Sequence, residues 1–215
     1  MDLIPAPEGT TLIFVRHGET VFNRDNRFQG QADVPLSPVG VRQAELLRAR
    51  MPQLGPDIVI SSDLERAWRT AEIALDGRWG FQRDARLKEV GFGEWEGLTL
   101  DEARRRDPQL VEDWMACPSA VRPPGAESLE EMQARCLRSV IELTQAHPGR
   151  RVLIVGHGGP IRVLICRLIG APLPVARQFV AANTSVSIVA YSARGPRLIR
   201  YNDTEHLQPM FEPRR

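Results

Sequence analysis

From position 11 to position 201 the chain alternates short apolar, β-favouring runs with stretches of helical periodicity. Thr11 to Arg16 (TLIFVR) is a near-continuous apolar run of strand length, the pattern of a strand buried on both faces. Ser37-Pro38 gives a cap-then-proline helix start. The apolar stripe that follows is Val41, Ala44, Leu47 and Met51, with Pro52 and Gly55-Pro56 read as its end. Residues 57–61 read as a second strand. Ser62 and Glu65 have capping-box spacing, which predicts a helix to about residue 75. Gln82-Arg83 is a candidate short strand. Ser128 and Glu131 cap a long helix with apolar positions Leu129, Met132, Cys136, Val140 and Leu143. Pro148-Gly149 stops it, and a second apolar run follows at 152–155. Gly159-Pro160 opens another helix to about residue 169, and 185–191 and 198–201 read as late strands.

Strands that alternate with helices predict an α/β fold, here a three-layer α/β/α sandwich with a largely parallel central sheet. Segment 87–124 breaks the rhythm. It carries a capping box at Thr99 and Glu102, a helix start at Asp107-Pro108, and breaks at Pro118 and Pro123-Pro124. It is expected to be a small lid insertion. The reading is one domain over 1–215, with a core at 11–86 and 125–201 and a polar, loosely held tail at 202–215.

Composition narrows the class. A chain of 215 residues buries roughly 70% of its unfolded surface and needs no metal or disulfide to fold. Lys plus Arg number 28 and Asp plus Glu 27, a balance that argues against a nucleic-acid partner. Cys117, Cys136 and Cys166 match no metal or redox spacing, so reduced thiols are expected, with Cys136 and Cys166 in the core. The segment 1–9 has neither a basic nor an apolar region of a signal peptide. No apolar run approaches the roughly 18 residues of a membrane span. A cytoplasmic protein with no membrane partner is expected.

The chemistry concentrates at two places. The chain has four histidines, and two follow apolar runs and precede glycine: Val15-Arg16-His17-Gly18 and Val155-Gly156-His157-Gly158. Ligands of α/β proteins collect at the carboxyl ends of parallel strands, so adjacent strands would aim both imidazoles at one point. Arg16 adds a fixed cation, and Gly18 lets the backbone approach an anion closely. Gly158-Gly159-Pro160 leads into a helix whose first N–H groups attract negative charge. A phosphoryl group fits this set best. The bland alternative is a pair of satisfied core histidines. A metal site is disfavoured, because neither stretch carries a carboxylate or second histidine at ligand spacing.

These residues open an ordered series. Arg16-His17-Gly18-Glu19-Thr20 resembles the signature of the histidine phosphatase superfamily, which includes cofactor-dependent phosphoglycerate mutases, fructose-2,6-bisphosphatases and α-ribazole phosphatases. The resemblance continues through Asn23, Gln29-Gly30, residues 33–40, Ser61-Ser62-Asp63-Leu64-Glu65-Arg66-Ala67, Leu87-Lys88-Glu89 and Phe92-Gly93-Glu94-Trp95-Glu96-Gly97. It resumes at Pro124-Gly125-Ala126-Glu127-Ser128 and Gly156-His157-Gly158-Gly159-Pro160-Ile161-Arg162. Asn183-Thr184-Ser185 and residues 202–207 are similar to phosphatase members.

The resemblance implies a metal-independent phosphomonoester hydrolase of the histidine acid phosphatase type (EC 3.1.3.-), without cofactor, acting on small phosphorylated metabolites. His17 would form a phosphohistidine, its pKa lowered by Arg16 and Arg66. Arg16, Arg66 and His157 would hold the three equatorial oxygens. Glu89 would protonate the leaving oxygen and then accept a proton from water. Asn23, Gln29, Gly30 and Gly158 would line the substrate. No metal ligand is implied.

A mutase is the alternative. The mutases compared carry an Arg-Arg pair after a lid tryptophan and H-G-N after the second strand. Here Trp114 precedes Met115-Ala116-Cys117-Pro118, and Gly159-Pro160 follows His157-Gly158. Both departures favour hydrolysis, with Arg104, Arg105, Arg106 and Arg122 as candidate substrate contacts. A catalytically inactive scaffold would lack one of His17, Arg16, Arg66, Glu89 or His157, and all are present. Glu94 and Glu96 read as solvated, His147 as exposed and His206 as structural. Trp95 and Trp114 either line a pocket or pack the lid. A homodimer stays open.

Overall fold

The two apolar runs that end in His-Gly lie side by side. In the computed structural model, which describes residues 8–117 and 120–210, six strands form one sheet. They are β1 (Thr11–Arg16), β2 (Ile58–Ser61), β3 (Gln82–Arg83), β4 (Arg151–Gly156), β5 (Val186–Ser192) and β6 (Gly195–Asp203), in the order β3-β2-β4-β1-β5-β6. β3, β2, β4 and β1 pair in parallel, and β5 and β6 add an antiparallel edge. The fold is the expected α/β class, with a mostly parallel sheet and helices on both faces.

Eight helices accompany the sheet among the described residues: α1 (Val21–Arg24), α2 (Pro38–Arg48), α3 (Met51–Leu54), α4 (Glu65–Leu75), α5 (Leu100–Arg106), α6 (Pro108–Ala116), α7 (Leu129–Ala146) and α8 (Gly158–Ile169). Side chains alternate across a strand, so each central strand feeds two cores. Leu12, Phe14, Val152 and Ile154 pack with Met132 and Val140 of α7 and Leu164 of α8. Ile13, Val15, Leu153 and Val155 pack on the other face with Leu47 of α2 and Leu75 of α4. Burial on both sides stabilises each such residue by roughly 1.5–3 kcal/mol, which explains why these runs are apolar throughout. Segment 87–124 carries a third, separate cluster of Trp95, Ala103 and Val111, packed by Phe28 and Trp114.

Three local expectations change. The helix over 38–51 stops at Arg48, and Met51 and Pro52 begin the short α3, which Gly55 ends in the left-handed region at φ 50°. Proline at the first turn starts a helix as readily as it ends one. Ser62 does not cap α4: Leu64 is the N-cap residue and makes no side-chain cap bond. Asp33, distant in sequence, accepts the Glu65 N–H at 2.7 Å instead. The tail is docked, not loose, as far as residue 210. Asp203 accepts from Arg50 at 2.9 Å, and His206 and Leu207 are buried. Residues 1–7, Pro118 and the last five residues of the tail lie outside the described residues.

Candidate active site

Pairing of β1 with β4 puts Arg16 opposite Gly156, and the His17 N–H donates to the Gly156 carbonyl at 2.9 Å. The next residue of each strand is a histidine, and their ring centroids stand 5.1 Å apart. Both are buried. His17 Nδ1 lies 2.6 Å from the Gly18 carbonyl oxygen. A carbonyl only accepts, so Nδ1 carries the proton and Nε2 holds a lone pair. His157 Nε2 lies 2.8 Å from Ser62 Oγ, which also accepts the Leu64 N–H. With the hydroxyl proton donated to His157 Nε2, the ring carries its own proton on Nδ1, which is the tautomer that presents an outward donor. Burial lowers the pKa of both imidazoles well below the ordinary value, with Arg66 and Arg16 adding to the effect. Both are neutral at pH 7.

The two arginines are held by carbonyls. Arg16 donates to Ala181 O at 2.6 Å; Arg66 donates to Gly30 O at 2.7 Å and Ala32 O at 2.8 Å. Arg66 is completely buried, and burial brings its pKa down to about 10. Among the described residues neither guanidinium has a carboxylate within ion-pair distance. A buried cation costs several kcal/mol unless an anion pairs with it. Three buried N–H groups here have no hydrogen-bond partner among the described residues: Arg16 Nε, Arg66 Nε and His157 Nδ1. Their number equals that of the non-bridging oxygens of a phosphoryl group.

Glu89 completes the set. Its Oε1 accepts the Val90 N–H at 2.9 Å, and its Oε2 accepts the Gly159 N–H at 3.1 Å at the start of α8. Its backbone carbonyl accepts from Arg135 of α7 at 2.8 Å. Arg135 also holds the carbonyls of Arg86 and Lys88 and grips Glu127 through two bonds. The acid loop is thus clamped on an ion pair that is itself largely shielded from water.

The neighbours divide. Gln29 is buried and accepts from Thr20 Oγ1. Asn23 closes a capping box with Thr20, so its amide oxygen is committed and its N–H₂ is the available donor. Gly30 contributes the carbonyl that holds Arg66 and sits at φ 53°. Gly18 and Gly40 meet backbone to backbone, since a Cβ on Gly18 would lie 2.5 Å from Gly40 O. That contact by itself requires glycine at position 18. Gly158 lies against Arg16, whose Nε a Cβ there would meet at 3.6 Å, and Gly159 lies against Glu89, whose Oε1 a Cβ there would meet at 2.1 Å.

Glu94 is exposed, whereas Glu96 accepts the N–H groups of Gln31 and Phe92 and anchors the loop. Trp95 is packing, stacked edge-on with Trp114. His147 is half-buried at the end of α7, and His206 accepts or donates at Thr184 Oγ1, 3.1 Å away. Ser62 and Arg135 escaped sequence reasoning as functional residues. Ser62 looked like a helix cap, and nothing local marks Arg135.

The arrangement defines an α/β protein whose unpaired buried donors gather at the carboxyl ends of parallel strands. The chain belongs to the histidine phosphatase superfamily (branch 1), whose profile matches residues 12–204. It is 32% identical to phosphoserine phosphatase 1 of Hydrogenobacter thermophilus over 93% of this chain and 95% of that protein. A Yersinia pestis protein that bears a phosphoglycerate mutase name, GpmB, is 33% identical over 90% of this chain and 93% of its own. The solved structure of Bacillus stearothermophilus YhfR superposes with a TM-score of 0.86 at 33% identity, covering 92% and 99% of the two chains. Among the described residues no helix is long and apolar enough to cross a membrane.

Proposed function

We propose that this chain is a phosphomonoester hydrolase of the histidine acid phosphatase type (EC 3.1.3.-) that works through a phosphohistidine at His17. The observation that carries the reading is the set of three unpartnered buried N–H groups beside a neutral imidazole with its Nε2 lone pair available. His17 Nε2 attacks phosphorus, and the P–O bond to the alcohol breaks in line. Arg16, Arg66 and His157 hold the non-bridging oxygens, where the transition-state charge gathers. The guanidiniums supply the positive charge that the step requires. Glu89 donates its proton to the leaving alkoxide. It then takes a proton from water, whose oxygen attacks the phosphohistidine and releases phosphate and free His17.

Hydrolysis is favoured over phosphate return because the lid tryptophan Trp114 is followed by Met115 and Ala116 rather than by two cations. Of the arginines singled out in the lid, Arg105 and Arg106 line a separate hollow with Arg27, and Arg104 pairs with Glu112. Only Arg122 borders the cleft beside Glu89. A cytoplasmic setting belongs to the same reading, supported by the buried thiols of Cys136 and Cys166.

The test is rapid acid-free quenching with a labelled phosphate ester, with EDTA present. Acid-labile, alkali-stable label on His17, absent in His17→Ala and formed slowly in His157→Ala, supports the proposal. Label on another residue, or turnover without any label, overturns it. Isomerisation of 3-phosphoglycerate in the presence of 2,3-bisphosphoglycerate at a rate above hydrolysis would assign a mutase instead.

A further inference from the structure

The cleft that opens beside Glu89 has a chemistry that phosphoryl transfer does not use. Its volume is about 580 Å³, the size of a pocket for a whole small molecule. Val90 and Gly159 are among the residues that line it, and their N–H groups are the ones that hold the Glu89 carboxylate. The cleft therefore adjoins the Glu89 carboxylate, and an alcohol protonated there has room to extend into it. Most of the wall is apolar, with Phe92, Trp114, Leu129, Met132 and Val163 facing it.

The charges at its edge are unevenly matched. Glu127 is committed to Arg135 at 2.6 Å, and Glu131 to Arg122 at 2.9 Å. Arg162 and Arg177 also line the cleft. Neither has a carboxylate within ion-pair distance among the described residues. Arg162, on the first turn and a half of α8, is half-buried and is steadied by one bond from its Nε to Gly158 O at 3.1 Å. Arg177 is exposed at the rim. The cleft thus combines an apolar body with two unneutralised cations. A three-carbon alcohol would leave most of its volume, and its aromatic wall, to water.

On the phosphatase reading above, we infer that the substrate is the phosphate ester of a bulky alcohol with an apolar, ring-sized body and a distal carboxylate. Phe92, Trp114, Leu129 and Met132 take the body. Arg162 and Arg177 receive the carboxylate. They act as specificity-determining residues and leave the bond-breaking step to Glu89 and His17.

Three esters test this: 4-carboxybenzyl phosphate, its neutral isostere 4-carbamoylbenzyl phosphate, and 3-phosphoglycerate, which has a carboxylate without the body. The two benzyl esters have leaving alcohols of nearly equal acidity, so their kcat/KM ratio reads recognition of charge. That ratio is expected to be about tenfold or more, the value of one charge-assisted hydrogen bond. The Arg162→Gln/Arg177→Gln double variant should bring it toward one. Arg177→Gln alone, at an exposed side chain, lowers it in the same direction and covers the case of a double variant that does not fold. The carboxybenzyl ester should also exceed 3-phosphoglycerate. A ratio near one in the unaltered enzyme, or one preserved in both variants, overturns the inference. So does 3-phosphoglycerate turned over as well as the carboxybenzyl ester. No turnover of any ester, with no label on His17, overturns the phosphatase reading itself and the inference with it.

Discussion

On the proposed mechanism, Gly159→Ala tests the role of Glu89 separately from that of His17. The added methyl would stand 2.1 Å from Glu89 Oε1 and 3.2 Å from its carboxyl carbon, against 3.4 Å for ordinary contact. The other near atom is the flexible thioether sulfur of Met132 at 3.3 Å. Side chains, not backbone, must therefore yield, and the Glu89 carboxylate must retreat by roughly 1 Å, a displacement that costs about 100-fold when it befalls a catalytic group. The fold should tolerate the change, because alanine is favoured over glycine within a helix by about 1 kcal/mol. The assay is kcat/KM, which covers the steps up to the phosphohistidine, on two esters. Glycerol phosphate expels an alkoxide that needs a proton; 2,4-dinitrophenyl phosphate expels an anion that does not. The expected result is a loss of about 100-fold on the first and little change on the second, with the thermal midpoint kept. Equal losses on both esters would show that the methyl disturbs the phosphoryl site. No loss on either would show that Glu89 is not the acid.

Three further outcomes follow from the same contacts. Ser62→Ala removes the oxygen 2.8 Å from His157 Nε2 and frees the imidazole to take either tautomer. The kcat/KM should fall about 10- to 100-fold, the worth of one buried hydrogen bond, and unchanged kinetics would refute the tautomer assignment. Vanadate should raise the melting temperature by relieving the unpaired buried charge of Arg66; calorimetry on Arg66→Met should show the rise abolished, and a full rise would contradict the assignment of Arg66 to the anion. Stability should decline in acid. Burial lowers the His17 and His157 pKa values well below the ordinary one and takes His206 to about 4. The unfolded chain binds protons below about pH 6.5 that the native state refuses, so stability is complete above pH 7 and drains away between pH 6.5 and 4. His206 contributes to the loss across that window. Urea melts at pH 7.5 and 5 that give the same free energy would refute this.

Much of the molecule is legible in its residues taken in order. Runs such as LIFV and VLIV are apolar at every position because both faces of a central strand are covered, and that fact alone announces a parallel sheet between helix layers. His17 and His157 are legible for the same reason: each stands where a strand has just ended. Local chemistry also predicts the caps of α5 and α7, where Thr99–Glu102 and Ser128–Glu131 close both bonds of the capping box.

Only the tertiary structure decides what depends on residues far apart in the chain. Ser62 has the spacing of a helix cap, but its hydroxyl meets a buried imidazole 95 positions away, and Asp33 accepts the Glu65 N–H at the start of α4. Gly159 is one glycine of a pair until the Glu89 loop is brought against it. Arg135 is one more residue of an amphipathic helix until three loop carbonyls converge on it. Position along a strand or helix is set by local propensity and hydrophobic period. The donors left unpaired, and hence the anion they await, are set by the neighbours that folding supplies.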